Sequence, residues 1–321
     1  MSEKITTVAV VGCGTIGASW AALFAARGLS VRMYDVSAEA LQAGHRKALI
    51  ALDGLFQHKG ETDVPLSAAR KRLTTVAAPN DALKDVDFIQ ESVLERYPIK
   101  REAHELIERF APADAIIGSS SSGLLANKMQ EGLKYPERFV VAHPFNPPHL
   151  IPLVELVPGP QTSEGVLRRT HEFYTALGKI PIVLRKEVPG HIANRLAVAV
   201  WREAIDLVAN GVASLEDVDK ALYAGPGLRW SSMGQHMIYH VNGGPKGYEG
   251  FFNHFGPQIE TWLQDMAQWT TIPAESRREV LRQMEESVRG RTLEELESVR
   301  DEKLQKVLHA LYPQEQTVAK E

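Results

Sequence analysis

The sequence predicts an α/β protein in which a mostly parallel sheet with crossover helices is followed by an all-helical region. Three observations predict it. Short β-rich apolar runs alternate with helical patterns from Ile5 to about Leu184. A glycine-rich turn joins the first of these runs to the first helix. Beyond Val188-Pro189-Gly190 the pattern is helical almost throughout, punctuated by Gly225-Pro226-Gly227, Gly243-Gly244-Pro245 and Ile272-Pro273. The expected division is 1–188 and 189–321, and each part is long enough to build its own core.

The turn reads Val10-Val11-Gly12-Cys13-Gly14-Thr15-Ile16-Gly17. Placed between a strand and a helix, this is a Rossmann-type dinucleotide fingerprint. Gly12 permits the tight turn, Gly14 lets backbone approach a pyrophosphate, and Gly17 allows close helix–strand packing. Thr15 and Ile16 open the helix, whose unpaired N–H groups and positive dipole end favour phosphate. Asp35 closes the second apolar run, where its carboxylate can bind ribose hydroxyls and repel a 2′-phosphate. The expected cofactor is therefore NAD.

The remaining strands are expected at Thr6–Val11, Ser30–Tyr34, Thr74–Ala77, Phe88–Glu91, Ala115–Ser119, Phe139–Ala142, Val154–Val157 and Ile180–Leu184. One long helix should run from Ala38 to about Lys59. The helix starting near His191 carries Ile192, Leu196, Val200, Ile205 and Leu207, too apolar for one wet face. It is expected to be buried at the centre of the helical part or at a subunit contact. The last helix opens on the capping box Thr292-Leu293-Glu294-Glu295. Its stripe of Leu296, Val299, Leu304, Val307, Leu308 and Leu311 is expected to pack in a core, with a dimer contact as the alternative. Residues after Tyr312 are polar and expected to fray.

Composition narrows the classes. The net charge is −4 and no long basic block occurs, which argues against a nucleic-acid partner. Cys13 is the single cysteine, so no intramolecular disulfide can form. The first strand begins too early to leave room for a secretory leader, and no apolar run has membrane-span length. A cytoplasmic protein is expected. His236 and His240 share a helix face, but no third ligand accompanies them, so no metal is expected.

Four polar residues follow the cofactor motif. Ser122 lies in a serine run after one strand, and His143 lies at the end of the next. Glu155 is flanked on both sides by apolar residues in the strand after that. Asn194 lies just beyond the domain boundary. Strand C-terminal ends line the ligand crevice of an open α/β sheet, so Ser122 and His143 belong near the cofactor. Oxidation of an alcohol needs a base, and histidine titrates near neutrality. A buried carboxylate such as Glu155 needs a partner and can fix the imidazole tautomer. Ser122 and Asn194 can hold the substrate oxygen. Each residue also has a plainer reading: a strand-end histidine, a turn serine, a backbone-satisfying asparagine.

These residues, with Gln90-Glu91-Ser92-Val93-Leu94-Glu95-Arg96, His143-Pro144-Phe145-Asn146-Pro147-Pro148, Pro189-Gly190-His191-Ile192-Ala193-Asn194-Arg195 and Gly227-Leu228-Arg229-Trp230, resemble the 3-hydroxyacyl-CoA dehydrogenase superfamily. The likeness is closest to its free-acid branch, which holds the L-gulonate 3-dehydrogenases (lambda-crystallin) and L-carnitine dehydrogenases. The resemblance implies His143 as base, Glu155 as its partner, and Ser122 and Asn194 on the substrate. It also implies that Glu95 and Lys100 contact the nicotinamide side of NAD. A homodimer formed by the helical domain is implied as well.

Ser120 stands where the CoA-using members have Asn. Arg229-Trp230 stands near their Pro-Met, and the chain runs past their usual end. Arg229 can clamp a substrate carboxylate, or it can serve in an ordinary ion pair. Trp230 matches the carnitine enzymes and suits a quaternary ammonium. Asn194 stands where those enzymes have Asp. The resulting expectation is NAD-dependent oxidation of a free 3-hydroxy acid, with L-gulonate first, L-carnitine next and a 3-hydroxyacyl-CoA third. A crystallin-like structural role is the rival, opposed by the intact Ser122, His143, Glu155 and Asn194 set.

Overall fold

The computed structural model describes residues 4–57 and 62–312, and eight strands among them pair into one sheet. They are β1 (Thr7–Val11), β2 (Ser30–Tyr34), β3 (Leu73–Thr75), β4 (Phe88–Glu91), β5 (Ile116–Ser119), β6 (Phe139–Pro144), β7 (Leu153–Pro158) and β8 (Ile180–Val183). Their order is β3-β2-β1-β4-β5-β6-β7-β8. Every neighbouring pair is parallel except β6–β7, which is antiparallel. All eight expected strands are present, with ends shifted by at most two residues.

The crossovers are α1 (Thr15–Ala26), α2 (Ala38–Gln57), α3 (Leu66–Arg72), α4 (Pro79–Leu83), α5 (Tyr97–Phe110), α6 (Ala126–Gln130) and α7 (Glu164–Ala176). They cover both faces of the sheet, so β1 is apolar and buried from Val8 to Val11. Val8 and Val10 enter one core cluster, and Ala9 and Val11 the other. Every residue of α1 from Gly17 to Ala26 is buried. An aromatic group fills this layer: Trp20 stacks on Phe24 at 5.4 Å, and Phe88 meets Phe173 at 4.6 Å. The expected end of α2 near Lys59 lies outside the described residues, as does everything after Tyr312.

The chain divides into two units, Met1–Asn194 and Arg195–Glu321. The division falls after Asn194 rather than at residue 188. The reason is local: the Ile192 and Ala193 N–H groups bind Glu155, and the Asn194 amide binds the Ser122 carbonyl. These bonds tie residues 189–194 to the sheet.

The second unit holds most of α8 (Ala193–Ala209) and all of α9 (Leu215–Ala224), α10 (Pro226–Ser232), α11 (Gln235–Asn242), α12 (Gly247–Asp265), α13 (Ala274–Ser287) and α14 (Leu293–Leu311). Helices α11 and α12 pack closely because a side chain at Gly243 would collide with the Gly247 carbonyl. Tyr239 then stacks on Phe251 at 4.1 Å.

Two apolar helices are not enclosed within the single chain, which leaves the subunit contact as the expectation for both. In α8 only Ile205 and Val208 are buried, while Leu196 is 65% exposed. The capping box of α14 forms, but no residue of that helix is buried. Its stripe is half-covered at Leu296, Leu304, Leu308 and Leu311 and open at Val299 and Val307. Charged residues such as the Arg300–Asp301 pair interrupt the stripe, which is too narrow to be enclosed. No helix among the described residues is long and apolar enough to cross a membrane.

Candidate active site

The glycine turn sits where the strand order reverses, at the C-terminal end of β1. Gly12 has φ +92°, and a Cβ there would lie 2.6 Å from Ser92 backbone. A Cβ on Gly17 would lie 1.9 Å from the Gly12 carbonyl, so helix and turn touch only because both are glycine. A Cβ on Gly14, by contrast, would meet nothing within 4 Å. That open space fits a pyrophosphate. No side chain caps the N-terminus of α1, which Thr15 and Ile16 open. The Asp35 carboxylate accepts from Cys13 N at 2.8 Å and Ser37 N at 3.0 Å, so the acid is fixed beside the turn. The residues present therefore fit NAD.

At the other side of the sheet, His143 and Glu155 face each other. They are paired directly across the β6–β7 ladder. Cross-strand neighbours put their side chains on one face. His143 Nδ1 lies 2.8 Å from Glu155 Oε2. Glu155 is fully buried and His143 is 5% exposed. Burial raises the Glu155 pKa, but the His143 bond and the Ala193 and Ile192 N–H groups outweigh it and hold the carboxyl below its ordinary value. The second oxygen, Oε1, takes those two N–H groups at 3.0 and 2.8 Å, at the start of α8. A carboxylate can only accept, so Nδ1 carries the hydrogen and the lone pair lies on Nε2.

The serine run after β5 is held from below by Glu95. Its Oε1 accepts from Ser121 Oγ at 2.6 Å and from the N–H groups of Ser122 and Gly123, both at 2.9 Å. Its pKa is lowered: burial opposes this, but the Ser121 hydroxyl, Lys100 and backbone N–H groups prevail. Lys100, implied as a cofactor contact, is buried in an ion pair with Glu91 at 2.9 Å and stands 3.6 Å from Glu95 Oε2. Both residues thus serve as supports for the loop. Asn194 Nδ2 donates to the Ser122 carbonyl at 3.2 Å, so two expected substrate residues do meet.

Arg229 and Trp230 lie together on α10 in the second unit. Arg229 is exposed, and Trp230 Nε1 donates to Gln235 Oε1. Three residues that sequence reasoning passed over are buried in the first unit. Gln90 donates to Ser120 Oγ at 2.9 Å, and Glu91 accepts from Ser119 Oγ at 2.6 Å. Polar residues ending an apolar strand were the available signal, the same one that marked Glu155. His191 packs its ring 5.2 Å from that of His143, and nothing in its sequence neighbourhood announced it. His236 and His240 each bond Tyr248, through its hydroxyl and its N–H.

Comparison with known proteins agrees with this architecture. Residues 7–188 match the 3-hydroxyacyl-CoA dehydrogenase NAD binding domain, and residues 190–283 match the C-terminal domain of the same family. L-carnitine dehydrogenase of Oceanobacillus iheyensis is 39% identical over 94% of this chain and 96% of its own length. That of Pseudomonas putida is 41% identical over 96% and 94%. Among solved structures, an NAD-dependent 5-formyl-3-hydroxy-2-methylpyridine 4-carboxylic acid 5-dehydrogenase aligns with a TM-score of 0.81 at 27% identity, over 97% of this chain and all of that one. (S)-3-hydroxybutyryl-CoA dehydrogenase of Ralstonia eutropha aligns at 0.64 and 26% identity, over 89% and 94%.

Proposed function

The chain belongs to the 3-hydroxyacyl-CoA dehydrogenase family, and on that premise we propose that it oxidises the hydroxyl of a free 3-hydroxy acid, with L-carnitine as the leading substrate. NAD, when bound, supplies the acceptor for the hydride that leaves the hydroxyl-bearing carbon. The observation that carries the chemistry is the His143–Glu155 pair at 2.8 Å.

His143 Nε2 takes the hydroxyl proton as the carbonyl forms. Glu155 then faces an imidazolium, and the charge that appears on the ring is matched by one already fixed there. Holding Glu155 costs nothing at that moment, because the Ile192 and Ala193 N–H groups keep it ionised and aimed. Ser122 supplies a hydroxyl to the substrate oxygen. Asn194 gives one amide hydrogen to the Ser122 carbonyl and keeps a second for substrate.

L-gulonate ranked first on sequence alone. L-carnitine now ranks ahead of it, because relatives named L-carnitine dehydrogenase share 37–41% of residues over nearly the full chain. Trp230 supports the same ranking: an indole face attracts a trimethylammonium, while Arg229 suits a carboxylate. A homodimer is part of the proposal, supported by the open apolar positions Leu196, Val198 and Trp201 on α8.

The test is NADH formation from L-carnitine, L-gulonate, 3-hydroxybutyrate and (S)-3-hydroxybutyryl-CoA, side by side. Turnover of L-carnitine well above the others is expected. Turnover of the CoA ester alone would overturn the free-acid reading.

A further inference from the structure

His191 has no part in the chemistry above, yet it is buried beside His143, at 1% exposure. Its backbone has φ +51°, directly after Gly190 at φ +76°. Such a conformation is disfavoured for residues other than glycine. It does two things here. It turns the Ile192 and Ala193 N–H groups toward Glu155, and it sets the His191 ring beside His143, with the planes at 52°.

His191 Nε2 lies 3.3 Å from the Ser121 carbonyl. A carbonyl only accepts, so Nε2 carries the hydrogen. Nδ1 is buried and has no hydrogen-bond partner among the described residues. A second proton there is opposed by burial first and by the neighbouring His143 next. Glu155 and Glu95 act the other way, and the balance still lowers the pKa. The ring is therefore neutral, with Nδ1 bare.

We propose that His191 is a positioning residue for this reaction: its Nε2–H holds the Ser121 carbonyl and so keeps the serine loop in register with His143. The inference rests on the assignment of His143 as base. The loop is otherwise tied by Glu95 to its N–H groups, by Gln90 to the Ser120 hydroxyl and by Asn194 to the Ser122 carbonyl. Among the described residues, His191 supplies the bond to the Ser121 carbonyl, from the same segment that holds Glu155. Ser121 is fully buried, so its carbonyl has no water to take the place of that donor.

Two substitutions separate the donor from the ring volume. His191→Gln keeps an amide N–H for the Ser121 carbonyl, whereas His191→Phe keeps the ring and loses the donor. Both are assayed in the full chain with saturating NAD and the best acid found for wild type. The expected order is Gln within about threefold of wild type in kcat/KM and Phe about tenfold or more below it, as befits a buried carbonyl left unpaired. The reverse order, Phe retaining activity and Gln losing it, would mean the ring only fills space and would overturn the proposal.

The tautomer gives a readout independent of both variants and of turnover. In nitrogen-15 spectra of histidine-labelled wild type with NADH, His191 should be neutral with the hydrogen on Nε2. A hydrogen on Nδ1, or a doubly protonated ring, would overturn the inference. Wild type inactive on every acid would sink the proposed function and leave the tautomer result to stand or fall by itself.

Discussion

His143 and Glu155 stand directly opposite each other across the antiparallel β6–β7 pair, the one such pair among the described residues, with Nδ1 and Oε2 2.8 Å apart. Because β7 runs against β6, a residue in the first half of β7 lies opposite one near the end of β6.

Glu155→Gln removes the charge and keeps the shape. An amide offers the imidazole no counter-charge when the proton arrives, so kcat should fall about a hundredfold or more. NADH affinity should stay within about twofold, because the glycine turn lies elsewhere in the sheet. Fluorescence titration and initial rates check both halves; a variant with near-normal kcat would remove Glu155 from the mechanism.

Beneath the serine loop, Glu91 predicts an acid limit to stability. Burial raises its pKa, but Lys100, His104 and Ser119 outweigh it and bring the value to about 2, against an ordinary 4.5. The folded pKa is the lower one. The contribution is therefore full above about pH 4.5 and fades as pH falls toward 2. Glu91→Gln leaves buried Lys100 with only Glu95, 3.6 Å away and partly exposed, as counter-charge, so the cost should reach at most about 3 kcal/mol. Urea melts should show that loss at neutral pH and a smaller one in acid.

Cys13 predicts a silent thiol. Burial, and then the charge of Asp35, push its pKa up to about 12. A thiolate is the reactive form, so the native protein should resist iodoacetamide near pH 8. The unfolded chain should take up one equivalent. Fast labelling of the native state would mean the glycine turn opens.

Asp35 predicts the choice between the two nicotinamide cofactors. Asp35→Ala should weaken NADH binding about tenfold or more, through lost charged hydrogen bonds. It should affect NADPH far less, narrowing the preference. Equal losses for both would point to collapse of the turn, since Asp35 also holds the Cys13 N–H.

The sheet was legible because each strand is a short apolar run bounded by turn residues, and the parallel order follows from helices between them. The glycine turn was legible because Gly12, Gly14 and Gly17 answer three separate steric demands. Glu155 was legible as a carboxylate with apolar neighbours on both sides. The reversal of β7 was not, since apolar runs carry no direction. Glu91 was passed over although it shows the same signal as Glu155, because its partners Lys100 and His104 come from a helix that follows it. His191 was invisible: its importance comes from a positive φ and a carbonyl seventy positions away in sequence. What covers the open faces of α8 and α14 was not legible, because periodicity marks an apolar stripe without saying what it packs against.

Trp230 predicts the far end of the substrate. Its loss should remove about 1–2 kcal/mol of attraction for a trimethylammonium. Trp230→Ala should then raise KM for L-carnitine roughly five- to thirtyfold, and leave KM for L-gulonate unchanged. An equal rise for both acids would point to lost packing.

The most direct measurement is single-turnover NADH formation from L-carnitine at saturating NAD, for wild type and His143→Ala. A base acting from Nε2 predicts a fall of about a hundred- to ten-thousandfold in the rate of hydride transfer, with NADH binding unchanged. A variant that forms NADH at a rate near wild type would show that His143 is not the base, and the account of this site would fail.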